Sequence, residues 1–217
     1  MKSRSHMAIL PALIALGLSA CNGDRTESTI SLPYYIDASM RPTWIAEDSV
    51  ELTATHRIGP FRMIDQTGAR VSEKNLVGKL VVVDFFFTRC GGICPTLSSN
   101  MARLQDSLDG IDDLLLLSFS VTPDVDSVPI LRDYAATYGA DPARWHLMTG
   151  RKREIYDLAR TSFFADVDTT DDAFLHSETF WLLDRTGRIR GVYNGTLGAD
   201  VVNLIGDVRR LSATSSM

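Results

Sequence analysis

Cys90 and Cys94 are the residues of this chain best placed to do chemistry, and they stand in one short motif, Cys90-Gly-Gly-Ile-Cys94-Pro95. A thiolate is both a nucleophile and a soft metal ligand. Two on one turn make a bidentate claw for a soft ion, or a dithiol that closes to a disulfide and exchanges with another. A bridge across so short a loop restricts the unfolded chain little, so the pair reads as chemistry rather than as a staple. Gly91 and Gly92 are expected to let the backbone bend so that both sulfurs face one point. Asp84 lies six residues upstream (90 − 84), inside Val-Val-Val-Asp-Phe-Phe-Phe, where a carboxylate is costly unless partnered or protonated.

The elements around the motif follow from periodicity. Leu80 to Phe87 is a continuous apolar run, as for a strand covered on both faces. A helix is predicted from about Pro95, which costs little in a first turn, with Leu97, Met101, Leu104 and Leu108 as its buried stripe. The cysteines therefore fall between the carboxyl end of a buried strand and a helix N-terminus. Ligands collect there in open α/β sheets, and unpaired amides favour thiolate over thiol. Leu114 to Val121 is a second buried strand. Asp126 or Ser127 is expected to cap a helix with Pro129 in its opening turn, running to Tyr138 and stopping at Gly139. Trp145 to Met148 reads as a short strand, Glu154 to Arg160 as a short helix and Asp166 to Asp172 as an acidic loop that could rim a docking site. A hairpin, Thr179–Asp184 and Ile189–Tyr193, precedes a last helix over Leu197–Leu211. Another hairpin turns at Asp65-Gln-Thr-Gly68 ahead of the first buried strand.

Strand–helix–strand–helix followed by hairpin–helix is the thioredoxin order, with an extra strand–helix unit. The expected fold class is α/β: thioredoxin-like, a central mixed sheet flanked by helices, with an N-terminal hairpin extension. Asp84 then matches the place where thioredoxins hold a buried carboxylate that relays protons to the active-site thiols.

The N-terminal residues read as an address. Lys2, Arg4 and His6 precede the apolar run Met7–Ala20, which is too short for a membrane span, contains Pro11 and ends in small residues. It closes on Leu18-Ser-Ala-Cys21, which resembles the lipobox of bacterial lipoproteins and so implies lipidation at Cys21. Residues 1–20 are assigned to a lipoprotein signal peptide, 21–55 to a lipidated tether and extended leader, and 56–213 to the domain. Leu32-Pro-Tyr-Tyr and Pro42-Thr-Trp44-Ile45 are too aromatic for a plain linker and are expected to strap onto the domain's outside. With Cys21 lipidated, only Cys90 and Cys94 remain of the three cysteines. The full chain carries a net charge of −5, and loss of Lys2 and Arg4 takes it to −7 (−5 − 2). That balance argues against nucleic acid as a partner. The expected location is the cell envelope, on the periplasmic or other extracytoplasmic face.

Phe86-Phe-Thr-Arg-Cys90-Gly-Gly-Ile-Cys94-Pro95 resembles the C-x-x-x-C-P site of the Sco/SenC family of copper proteins. Ser120-Val-Thr-Pro-Asp124, Leu131-Arg-Asp-Tyr-Ala135, Trp145 through Gly150, and His176-Ser177 through Asp184 resemble that family's remaining blocks in the same order. The resemblance implies that Cys90, Cys94 and His176 ligate a copper ion, Cu(I), Cu(II) or both. Two soft thiolates with one imidazole suit that metal. It also implies a copper metallochaperone of the cell envelope, delivering copper to the binuclear centre of cytochrome c oxidase. The partner would be the oxidase's copper subunit, or another copper or thiol client. The rival reading is a membrane-tethered thiol–disulfide oxidoreductase that reduces client cysteines, with Cys90 and Cys94 as redox pair and Asp84 as proton relay. A thiol peroxidase is disfavoured, since no proline precedes Cys90 in the pattern Pro-x-x-x-Thr-x-x-Cys. A closed zinc site is disfavoured too, since it wants four protein ligands and three are found. His56 and His146 read as packing or surface histidines, Met63 and Met101 as core.

Overall fold

In the computed structural model, residues 31–165 and 177–214 are described. A compact unit begins at Ser31. Its elements run α1 (Val50–Thr53), β1 (Arg62–Asp65), β2 (Arg70–Ser72), a 3₁₀ turn (Glu73–Leu76), β3 (Leu80–Phe86), α2 (Cys94–Ser107), β4 (Leu114–Ser120), α3 (Val128–Thr137), β5 (Trp145–Thr149), α4 (Lys152–Phe163), β6 (Thr179–Leu183), β7 (Ile189–Asn194) and α5 (Gly198–Ala213).

The strands form one mixed sheet in the order β2-β1-β5-β4-β3-β6-β7. Its centre, β3 with β4 and β4 with β5, is parallel, because helices α2 and α3 carry the chain back between them. β6 joins β3 antiparallel and β7 continues the sheet beyond it. The leading hairpin is part of this sheet, with β1 antiparallel to β5.

β3 shows why the sheet has two cores. Leu80, Val82 and Phe86 face α2, α3 and α5, whereas Val81, Val83 and Phe85 face α4, as the two-residue period of a strand requires. Each large aliphatic side chain so buried contributes about 1.5–3 kcal/mol. By the same period Asp84 falls in the first series and points to the α2 face.

The leader is strapped to the sheet edge. Tyr34 and Thr43 bridge, and the Tyr35 amide donates to the Ile189 carbonyl at 3.0 Å. Two arginines beneath it are buried. Arg190 donates to the carbonyls of Leu32 (2.7 Å) and Pro33 (3.1 Å), pairs with Asp184 (3.5 Å) and lies 3.9 Å above the Tyr34 ring. Arg188 donates to Thr55 Oγ1 (2.7 Å), Thr186 Oγ1 (2.6 Å) and the Leu52 carbonyl (2.5 Å). The short helix α1 within the leader, capped by Ser49 on the Glu51 amide, is an addition to the expected strap.

Two other elements differ from expectation. α4 runs to Phe163 rather than Arg160, ended by Phe164 in the left-handed region (φ 52°) with no glycine to announce it. At the start of α3, Ser127 takes the cap position but its side chain makes no cap bond, and Asp126 is engaged elsewhere. Among the described residues, no helix is long and apolar enough to cross a membrane.

Candidate metal centre

Cys94 is the first residue of α2 and Pro95 the second, so the helix opens one residue earlier than the sequence pattern predicts. Ile93 at the cap position offers no side-chain oxygen, which leaves the first-turn amides without a competing partner. The Cys94 amide, with those of Gly92 and Ile93 just before it, turns to the Cys90 sulfur. Burial pushes the half-buried Cys90 thiol up, but hydrogen bonds from the Cys94 thiol and the amides of Cys94, Gly92 and Ile93 outweigh it and hold Cys90 below its ordinary value. Burial pushes the Cys94 thiol up to about 12, helped by its own bond to Cys90 and by the charge of Asp84. The pair is thus asymmetric: an accessible, activated sulfur in front of a buried, protonated one.

Neither Gly91 nor Gly92 has a left-handed backbone. A Cβ on Gly92 would meet the Cys90 sulfur at 3.9 Å, an ordinary contact, and one on Gly91 would meet nothing within 4 Å. The bend is therefore open to other residues, contrary to expectation. What glycine supplies here is bareness around the sulfur.

Asp84 lies behind the cysteines, 1% exposed, with neither carboxyl oxygen hydrogen-bonded to any described residue. Burial pushes its pKa up to about 7. Ser118, its register partner on β4, pulls the other way but is outside hydrogen-bond geometry. α3 closes the same side. The Tyr134 ring lies tilted with its centroid 5.3 Å from that of Phe86, and its hydroxyl meets Ser98 Oγ at 2.9 Å, one turn along α2 from Cys94.

Two residues tie neighbouring segments together in ways the sequence reading did not assign to them. Asp126 is fully buried and accepts from the amide and hydroxyl of Thr88, from Ser120 and from Thr122. It ties the loop before Cys90 to the end of β4. Gly195, after β7, allows a close approach: a Cβ there would lie 2.6 Å from Leu97 and 2.8 Å from Phe180. Its carbonyl accepts from Asn100 of α2 at 2.7 Å and its amide donates to the Glu178 carbonyl at 2.6 Å. The start of β6 is so fixed against the helix that carries Cys94. The only sequence signal for either was an acid among hydroxyl residues, Ser120-Val-Thr-Pro-Asp-Val-Asp126, and an Asn-Gly after a strand.

His176, the acidic stretch 166–172 and Cys21 lie outside the described residues. Ser177, next in sequence to His176, leads into β6 at the sheet end where β3 leaves for Cys90. Among the described residues no group of three His, Cys, Asp or Glu could hold a metal ion. The two thiols alone are a soft donor pair, one short of the expected set. His56 and His146 are both engaged: His56 Nε2 meets the Ser162 carbonyl at 2.9 Å and His146 Nδ1 meets Asp65 Oδ2 at 3.0 Å. Met63 and Met101 are core.

The model of the SCO1/SenC family matches residues 50–212. The chain is similar to a SCO1/SenC family lipoprotein from Bacillus anthracis str. Ames (31% identity, 72% of this chain and 95% of that one, TM-score 0.66). It is similar to BsSco, described as a member of the Sco family of cytochrome c oxidase assembly proteins with a disulfide switch (33%, 72% and 94%, TM-score 0.64). A third similar structure is Arabidopsis thaliana ScoI with copper bound (28%, 72% and 98%, TM-score 0.60). With a matched span that runs from the leader's short helix to the end of α5 and takes in both cysteines, the chain belongs to the SCO1/SenC family.

Proposed function

We propose that this protein carries copper as cargo in the cell envelope and takes part in cytochrome c oxidase assembly, with Cys90, Cys94 and His176 as the ligands. The observation that carries the reading is the asymmetric thiol pair at the start of α2, both cysteines free, the Cys90 sulfur turned to the amides of Gly92, Ile93 and Cys94 and the Cys94 sulfur buried behind it. Deprotonated, the two are soft donors suited to monovalent copper, and an imidazole extends the set to the divalent ion. Binding would release the proton that Cys94 holds. Copper-bound Arabidopsis ScoI and the assembly role given for BsSco support the same reading. Delivery to the binuclear centre would proceed by ligand exchange, Cys90 yielding first because it is the accessible sulfur. An anchor at Cys21 fits the Leu18-Ser-Ala-Cys21 motif and the name lipoprotein given to the Bacillus anthracis relative.

A second reading, thiol–disulfide exchange, is favoured by one observation: Asp84, a buried carboxyl raised to about 7, beside the raised Cys94 thiol. A proton can pass between such groups as the disulfide opens and closes. His176→Ala separates the two. A copper site loses its third ligand, whereas dithiol exchange needs only the sulfurs. The variant should lose the sulfur-to-copper charge-transfer absorption and fail to support oxidase maturation, while its disulfide still forms and reduces at a rate near wild type. Normal binding of both copper states by this variant would remove His176 from the ligand set and leave thiol chemistry in the lead.

A further inference from the structure

Asp126 is a buried acid that neither copper binding nor thiol exchange uses. Its four partners are uncharged: Thr88 N (3.2 Å), Thr88 Oγ1 (2.5 Å), Ser120 Oγ (2.6 Å) and Thr122 Oγ1 (2.9 Å). A carboxylate whose task was to start α3 would bond the amides of that helix. Here those amides take nothing from it. Half of its bonds go instead to Thr88, two residues before Cys90. The other half go to the segment where β4 ends, which the Val121 amide joins to the Phe86 carbonyl at 2.8 Å. Oδ1 serves only Thr88, and Oδ2 is shared between Thr88 and the β4 side.

We infer that Asp126 is a positioning residue for the cysteine pair: its carboxylate latches the Thr88 side of the loop to the end of β4 and thereby sets where the Cys90 sulfur stands relative to Cys94. The inference rests on the reading of Cys90 and Cys94 as the working pair. Both cysteines are free in this structure, so the latch is made in the dithiol state. Closing a disulfide asks for a narrow range of Cα and sulfur geometry, which a pinned loop resists. An interaction held in one of two states shifts their balance by the free energy it loses in the other. The latch accordingly favours dithiol over disulfide.

The test is equilibration with reduced and oxidised glutathione, in which the two Cys90–Cys94 thiols lose two electrons and two protons to one oxidised glutathione. Asp126→Asn keeps the shape and weakens all four bonds. Thr88→Val removes only the hydroxyl, at a partly exposed position where folding is safe. Both are expected to move the equilibrium toward disulfide by about tenfold, equivalent to about 30 mV for this couple. The double variant should move it no further than Asp126→Asn alone. Thr122→Val, which removes a bond from the same carboxylate on the β4 side, should lower stability without moving the equilibrium. An unchanged equilibrium in Thr88→Val, or an equal shift in Thr122→Val, would reduce Asp126 to a support of the fold. Wild-type protein that neither exchanges with glutathione nor binds copper would instead overturn the working pair itself, and this inference with it.

Discussion

The two ends of the sheet handle buried polar groups by opposite rules. At the end where β7 begins, every buried charge is answered. Arg190 and Arg188 spend their donors on strap carbonyls, hydroxyls and Asp184, and Arg185 pairs with Asp113 at 2.6 Å. At the end where β3 leaves for Cys90, Asp84 has no hydrogen-bond partner among the described residues, Cys94 is forced to keep its proton, and Asp126 is held by three hydroxyls and one amide, none of them charged. One end therefore supplies stability, while the other carries groups that cost it. Such unrepaid groups gather where chemistry is done, because a fully satisfied group has no reason to react.

Breaking the stabilising end gives the largest expected effect. Arg190→Met would leave the Leu32 and Pro33 carbonyls and the Asp184 carboxylate without their partner, and should cost about 4 kcal/mol in urea denaturation. Glutathione equilibrium of the surviving folded protein should be unchanged. A shift in that equilibrium would show that the two ends are coupled.

Relieving the costly end should do the reverse. Asp84 has its folded pKa raised to about 7 from an ordinary 3.8, so the native state holds a proton that the unfolded state gives up between those values. Stability from this group is present at low pH and is lost as pH rises from about 4 to about 7. Asp84→Asn should flatten that slope and stabilise the protein by about 2 kcal/mol at pH 8, with slower disulfide exchange and unaltered copper stoichiometry. A slope that survives the substitution would assign it to other acids. Asp65 is not one of them: burial raises its carboxyl, but hydrogen bonds from Thr67, His146 and Ala69 win and lower it, so its contribution fades only at more acid pH.

The smallest effect is steric. Gly195→Ala puts a methyl against Leu97 and Phe180, both fully buried, and should cost about 1 kcal/mol. Because it pries the start of β6 from α2, copper affinity should fall by more than stability does. A variant that loses stability but binds copper as tightly as wild type would uncouple that contact from the site.

The reactive end was more legible in sequence than the stabilising one. Cys90 and Cys94 are neighbours in the chain, and the apolar run of β3 leads straight to them, so local pattern sufficed. Asp126 was read, alongside Ser127, as a candidate cap because cap preference is a local rule; Ser127 takes that position, whereas the Asp126 partner Thr88 lies 38 residues away. Arg188 and Arg190 had no local signal either. In a hairpin strand they read as solvent-facing, and only the strap, more than 130 residues upstream, buries them. Gly195 matters through a close approach of two elements that no single segment contains. The end of α4 was missed for a different reason, since Phe164 takes a backbone conformation that sequence rules reserve for glycine.

The strap has a consequence for reach. It joins the sheet at the β7 start, which by register lies level with the beginning of β3, while the cysteines follow the end of β3. Seven residues of strand separate the two levels, roughly 23 Å at about 3.3 Å per residue. Whatever the strap holds is thus held at the foot of the sheet, about one strand length from the thiols at its crown.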